Sequence, residues 1–248
     1  MKTDKKSKNK LKLGIIIGIT VLAVILAVFF IYTGIYYEAD MEAIEKMDFG
    51  GSFQALELDN GNLAFIPENP IAGLIFYPGG KVEYTAYIPL MEACASRNIA
   101  CVLVEMPFNL AVFDINAADG IKEEFPQIEK WYMAGHSLGG SMASSYLEEN
   151  HGEYEGLILL GSYSTADISD TSLRVLSLYG SEDGVLNREK YSECMANLPD
   201  SAVEFIIDGG CHAYFGVYGA QDGDGVPTLT NEEQIKITAD KIYGLIGG

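Results

Sequence analysis

Trp131-Tyr132-Met133-Ala134-Gly135-His136-Ser137-Leu138-Gly139-Gly140 is the stretch that decides the fold. An apolar run over 131–134 enters a glycine-rich turn, and a segment of good helix formers, 141–147, leaves it. Gly135-x-Ser137-x-Gly139 therefore stands where a G-x-S-x-G turn joins a strand to a helix. The spacing has a steric cause. A serine at the tip of so tight a turn takes a strained backbone, and side chains two residues to either side would collide. Glycine at 135 and 139 removes the collision. The Ser137 oxygen is then expected to stand clear of a sheet, at the N-terminus of a helix whose dipole favours negative charge. Glycine-rich strand-to-helix turns also bind phosphates, so a nucleophile reading requires a base and an acid elsewhere in the chain.

The chain has three histidines, and elimination works on so few. His136 lies inside the turn, too close in sequence to swing its ring onto the Ser137 oxygen, and is read as packing. His151 ends the helix after the turn, a surface position where a cation suits the dipole. His212 follows the last expected strand and Asp208-Gly209-Gly210, on a loop free to reach the carboxyl ends of the strands. It is the one candidate for a general base. The acid must lie between. Asp183, in Gly180-Ser181-Glu182-Asp183-Gly184 just past the expected strand 174–179, can hold the His212 tautomer and stabilise its imidazolium. Its competitors are Glu182, Asp167, Asp170 and Asp208, each of which also reads as a turn-capping carboxylate.

The order Ser137, Asp183, His212, each after a successive strand, resembles the α/β-hydrolase superfamily over about residues 53–248. Further stretches resemble a small, lidless branch related to dienelactone hydrolase-like serine esterases: Tyr77-Pro78-Gly79-Gly80-Lys81, Glu105-Met106-Pro107-Phe108-Asn109, and the run from His212 to Gly219 with Gln221. The resemblance implies hydrolysis of acyl esters without a cofactor. It departs in one respect, since dienelactone hydrolases proper use a cysteine nucleophile and this chain has Ser137. The same map implies an oxyanion hole of two backbone N–H groups. Leu138 supplies one, and Gly80 or Lys81 the other, although Gly79-Gly80 also reads as a plain turn. Tyr84, Phe108, Tyr163, Tyr214 and Phe215 are the candidates for lining a substrate pocket, and core packing explains such residues equally well.

Outward from these segments, apolar strands alternate with helices. Strands are expected at 71–77, 99–105, 129–134, 157–161, 174–179 and 203–207. Helices are expected at 82–95, 115–125, 138–150, 187–197 and 231–246, the last opened by a Thr230/Glu233 capping box. Asp59-Asn60-Gly61-Asn62 between 53–58 and 63–67 signals a hairpin. The alternation predicts an α/β fold, with a mostly parallel central sheet covered by helices on both faces.

The N-terminus has a different character. Residues 1–12 carry six Lys and Asp4, and residues 13–37 then run 25 positions without a charge. As a helix that run spans about 37 Å, enough for a hydrocarbon core of about 30 Å. The expected organisation is a basic cytoplasmic tail over 1–12, a transmembrane anchor over 13–37, a short helical linker over 38–52 and a catalytic domain over 53–248. The Lys cluster keeps the tail inside and puts the domain outside the cytoplasm. A cleaved signal peptide is the alternative, but the run is long and 33–39 offers no good small-x-small site.

The net charge of −19 includes the +5 of that tail, so residues 13–248 carry −24. Such a surface repels phosphate backbones and makes nucleic acid an improbable partner. Cys94, Cys101, Cys194 and Cys211 read as buried thiols, with disulfides permitted outside the cytoplasm. Asp222-Gly223-Asp224-Gly225 fails the calcium-loop spacing, because Val226 and Pro227 occupy positions that need an oxygen ligand and a glycine. It is read as an acidic turn, and no metal is expected. The expectation is a membrane-anchored, extracytoplasmic serine hydrolase acting on a small ester. Its rivals are an acyltransferase on the same residues and a non-catalytic binding module of the same fold. Oligomeric state is left open.

Overall fold

The computed structural model describes residues 2–247, with side chains from residue 12 onward. They form two compact units that divide between Tyr36 and Tyr37. The first is a single helix, α1 (Lys2–Thr33). Within it Lys12–Thr33, 22 residues, is long and apolar enough to cross a membrane. The helix stops short of the end of the uncharged run, at Gly34, a poor helix former. Tyr37 already belongs to the second unit, where its N–H donates to the Lys81 carbonyl at 2.8 Å and its own carbonyl accepts from Glu83 at 2.9 Å. The segment read as a linker also packs onto this unit. It contains α2 (Met41–Ile44), capped by the Asp40 carboxylate, and Ile44 is buried.

The second unit is built on one eight-stranded sheet: β1 (Phe53–Glu57), β2 (Leu63–Pro67), β3 (Ala72–Tyr77), β4 (Ile99–Leu103), β5 (Trp131–His136), β6 (Gly156–Leu160), β7 (Arg174–Gly180) and β8 (Val203–Ile207). Their order is β1-β2-β4-β3-β5-β6-β7-β8. β1 and β2 form the expected hairpin, β2 runs antiparallel to β4, and every other pairing is parallel. The central strands β3 and β5 are buried at every residue, which is why they read as continuous apolar runs.

Alternation along β3 divides the core between two faces. Leu74 and Phe76 pack with Leu90 and Met91 of α3 (Ile88–Ala95) and with Ile235, Ala239 and Ile242 of α7 (Asn231–Gly247). Ile75 and Tyr77 turn the other way, toward Met133 and toward Tyr146 and Leu147 of α5 (Leu138–Asn150). The Thr230/Glu233 capping box forms at the start of α7, with the Glu233 carboxylate accepting from the Thr230 N–H at 2.7 Å and its hydroxyl at 2.8 Å.

Two expected helices are shorter than their patterns. Of 82–95, only α3 is α-helical, preceded by a single 3₁₀ turn at Tyr84–Tyr87. Pro89 in the first turn of α3 lacks the N–H that would continue a helix from upstream. Of 115–125, only α4 (Ile121–Glu124) is helical, because Gly120 takes a left-handed φ of 80° and the Tyr77 hydroxyl claims the backbone before it. That hydroxyl donates to the Ile115 carbonyl at 2.8 Å and accepts from the Ala118 N–H at 2.9 Å. The helix α6 (Arg188–Cys194) starts from an Asn187 cap, whose side chain accepts from the Lys190 N–H. Because β5, β6, β7 and β8 are parallel, the loops that follow them gather at one edge of the sheet, where ligand sites of open α/β sheets lie.

Candidate active site

Ser137 leaves β5 with φ 51° and ψ −122°, a backbone that side chains rarely adopt. The surroundings hold it there. The Ser137 N–H donates to the Leu160 carbonyl at 2.9 Å, and the Ser162 hydroxyl donates to the Ser137 carbonyl at 2.6 Å. Gly135 has the reason expected of it, and Gly139 a different one. A Cβ on Gly135 would come within 2.5 Å of the Gly139 and Gly140 backbone, and one on Gly139 within 2.2 Å of the Tyr77 and Pro78 carbonyl oxygens.

Asp183 and His212 meet at the carboxyl ends of β7 and β8. The Asp183 Oδ1 accepts from the Val185 and Leu186 N–H groups at 3.0 and 2.8 Å, which aims Oδ2 at His212 Nδ1, 2.8 Å away. Both side chains are almost wholly buried, at 0 % and 1 % exposure. A carboxylate can only accept, so Nδ1 carries the proton and Nε2 is left as an acceptor. Among the described residues Nε2 has no hydrogen-bond partner. His212 and Ser137 line the same cleft, of about 250 Å³. The four rival carboxylates lie elsewhere. Glu182, Asp167, Asp170 and Asp208 are all exposed; Glu182 accepts from its neighbour Ser181 and Asp167 from Ser169.

His136 is packed behind the site, as expected, but it also belongs to a network that sequence reading missed. The Tyr87 hydroxyl accepts from the Gly79 N–H at 3.1 Å and lies 2.7 Å from His136 Nδ1. The Tyr87 hydroxyl thus bridges the Gly79 amide and the His136 ring. Burial, and then the neighbouring His212, hold the His136 imidazole well below its usual pKa.

The expectation for the loop Gly79–Lys81 requires one correction. The Lys81 N–H donates to the Asn109 carbonyl at 2.7 Å, and Gly79 is bound to Tyr87. Of the three loop amides only that of Gly80 makes no hydrogen bond among the described residues. Lys81 is therefore not the second donor, and Gly80 stands beside Leu138: a Cβ on Gly80 would lie 3.2 Å from the Leu138 Cβ.

The cleft is lined by Leu138, Tyr163, Val185, Leu186 and Asn187, together with Ser141, Gly161 and Ser162. Of the five aromatic candidates only Tyr163 is among them. Phe215 is completely buried, its ring 5.5 Å from that of His136. Tyr214 packs on the core beside α7, and its carbonyl accepts from Asn231. Tyr84 packs on the same core and donates to the Gly61 carbonyl at 3.2 Å. Phe108 meets Phe113 edge-on, 5.8 Å between centroids, on the loop after β4. Gly161, at the end of β6, was not anticipated. Its φ is 50°, and a Cβ there would stand 2.9 Å from His212 Nδ1. The four cysteines are buried thiols. Cys211, next to His212, is pushed up to about 12 by burial.

The fold is shared with several solved structures. A predicted CIB-like hydrolase from Thermoplasma acidophilum aligns with a TM-score of 0.55 at 15 % identity, over 79 % of this chain and 100 % of its own. Est1E from Butyrivibrio proteoclasticus aligns with a TM-score of 0.55 at 14 % identity, over 80 % and 100 %. Dienelactone hydrolase from Anabaena variabilis aligns with a TM-score of 0.56 at 14 % identity, over 79 % and 97 %. Among curated proteins there is no match. The sequence model of the alpha/beta hydrolase family matches residues 73–236, about two thirds of the chain, a span that includes Gly80, Ser137, Asp183 and His212. By that match, on a sheet of this order with these loops at its edge, the chain belongs to the alpha/beta hydrolase family.

Proposed function

We propose that the protein is a membrane-anchored, extracytoplasmic serine hydrolase that cleaves small carboxylic esters. The observation that carries this reading is the pairing of two states at one cleft. Ser137 is held on a strained backbone, and His212 is held by Asp183 with its Nε2 unpartnered. Neither arrangement serves packing, and both are what a serine nucleophile and its base require. In the reaction the Ser137 Oγ attacks the acyl carbon while its proton passes to His212 Nε2. The Leu138 and Gly80 N–H groups receive the oxyanion. The tetrahedral species collapses as Nε2 returns the proton to the departing alcohol, leaving an acyl-enzyme. Water then repeats the sequence, with Nε2 as base and Ser137 as leaving group, and releases the acid. Asp183 keeps the His212 tautomer and stabilises its cation without itself taking the proton.

The acyl specificity follows from the lining. Leu138, Val185, Leu186 and Tyr163 offer an apolar surface in a cleft sized for a short acyl group. Only residues 161–173 lie between β6 and β7, too few for a helical lid. The names of two structural neighbours, an esterase-type designation and a dienelactone hydrolase, fit ester chemistry on this frame. The N-terminal placement rests on the apolar helix and the Lys cluster before it.

The test is labelling of the full-length protein by a fluorophosphonate probe, with Ser137→Ala beside it. Labelling of the wild type alone is expected. An unlabelled wild type, or a labelled variant, overturns the assignment. With nitrophenyl acetate and an added alcohol, free acid as the sole product indicates hydrolysis, and a new ester indicates acyl transfer. Protease added to intact cells should degrade the domain. Protection of the domain would overturn its extracytoplasmic placement.

A further inference from the structure

The turn Asp222–Gly225 was expected to be no more than an acidic turn, yet one of its carboxylates is the most heavily bonded near the site. Asp224 Oδ1 accepts from the N–H groups of Gly184 at 3.1 Å, His212 at 3.1 Å and Gly225 at 2.9 Å. Its Oδ2 accepts from the Ala213 N–H at 2.8 Å. Only the Gly225 contact is local. The others reach two separate loops: Gly184 directly follows the acid Asp183, and His212 is the base itself. Partial burial works against the charge, and the four backbone N–H groups outweigh it, holding the carboxyl below the usual aspartate range.

The two loops have other ties, but these end short of the reacting pair. The Glu182 N–H donates to the Gly210 carbonyl at 2.9 Å, and the Gly209 N–H to the Ser181 hydroxyl at 2.8 Å. Cys211 is gripped on both sides by the buried Gln234 amide, its N–H to Oε1 at 2.9 Å and its carbonyl to Nε2 at 2.8 Å. Beyond Cys211 the backbone of the base depends on Asp224. We propose that Asp224 is a positioning residue that sets the distance between Asp183 and His212, by binding in one carboxylate the two loops that carry them. The inference rests on the proposed Ser137–His212–Asp183 assignment. Asp224 does not line the cleft, so it acts on the chemistry and not on substrate binding.

The experiment compares the full-length wild type with Asp224→Asn, Asp224→Ala, the exposed neighbour Asp222→Asn, and Ser137→Ala. Each is assayed for nitrophenyl acetate turnover, the rate of fluorophosphonate labelling and circular dichroism. For Asp224→Asn, kcat and the labelling rate should fall together by about 10- to 100-fold, the cost of misplacing a reacting group by a fraction of an ångström to about 1 Å. KM should stay within about threefold, as expected of a group acting only in the reacting state. Asp224→Ala should lose more, and Asp222→Asn nothing. A wild-type kcat in Asp224→Asn overturns the proposal, as does a rise in KM that accounts for the whole loss. Failure of Asp224→Asn to reach the wild-type spectrum also overturns it, since Asp224 would then be a determinant of the fold at large. If Ser137→Ala still labels, the triad reading itself falls. If Ser137→Ala is inert and Asp224→Asn is fully active, only the present inference does.

Discussion

The His136 ring lies 4.4 Å from the His212 ring, centroid to centroid, at an interplanar angle of 47°. Burial, and then the neighbouring imidazole, oppose a charge on His136 and hold it neutral, well below its usual pKa. In the unfolded chain His136 takes a proton as pH falls through about 6.5, while in the folded chain it does not. Protonation therefore favours the unfolded state. The stability linked to His136 is whole above about pH 6.5 and is lost as pH falls below it, by at most about 1.4 kcal/mol per pH unit. His136→Gln should flatten the decline in Tm between about pH 6.5 and 5. Thermal melts across that range check it, and parallel curves for the two proteins would refute it.

Ser137 pays for its exposure in backbone strain, of the order of 1–3 kcal/mol for such a conformation. Glycine tolerates the same dihedrals but costs about 0.5–1 kcal/mol in unfolded-state entropy. Ser137→Gly should therefore be inactive and yet at least as stable as the wild type. The backbone bonds at Leu160 and Ser162 survive the change. Urea unfolding with matched m-values measures it, and a clear loss of stability would remove strain from the account.

Asp183→Asn should lower kcat by about 10⁴-fold, since an amide at Oδ2 can present a donor to Nδ1 and favour the wrong tautomer. Glu182→Gln should leave kcat within about twofold, because its side chain is exposed and bonds only Ser181. Steady-state assays of the two variants side by side suffice. A larger loss at Glu182 would move the acid there.

Gly161→Ala should cut kcat by about 10²-fold or more through displacement of the imidazole. The added Cβ would meet His212 Nδ1 at 2.9 Å and Asp183 Oδ2 at 3.2 Å, on a left-handed backbone. The same change should destabilise the fold by more than about 1 kcal/mol. Turnover and melting temperature should fall together, and normal turnover would mean that the loop yields without moving the base.

The parts of the site that were legible in the sequence are those whose cause is local. Gly135 announces the turn because the steric conflict it relieves, with the Gly139 and Gly140 backbone, lies within five residues; the room that Gly139 leaves for the Tyr77 and Pro78 carbonyls was not part of that signal. His212 was found by elimination among three histidines, and Asp183 by its place after a strand. The parts that were not legible depend on contacts between distant segments. Nothing near Lys81 signals that its N–H is taken by Asn109, 28 positions on, and nothing near Asp224 signals Gly184 or His212. Three of the aromatic candidates do not line the cleft, for a related reason. Tyr84, Tyr214 and Phe215 are near reacting residues in sequence but turn their rings into the core. The cleft is lined instead by Val185 and Leu186, plain aliphatic residues with no distinguishing local pattern. The helix expected over 115–125 was lost to the Tyr77 hydroxyl, another partner from far along the chain.

Val185 and Leu186 hold Asp183 through their main-chain N–H groups and face the cleft with their side chains. Every L-amino acid except proline brings the same N–H to those positions. Substitutions at 185 and 186 can therefore reshape the cleft while the carboxylate keeps its two donors. The chain thus contains a pair of adjacent sites at which selectivity can drift, in evolution or in a directed library, without passing through an inactive sequence.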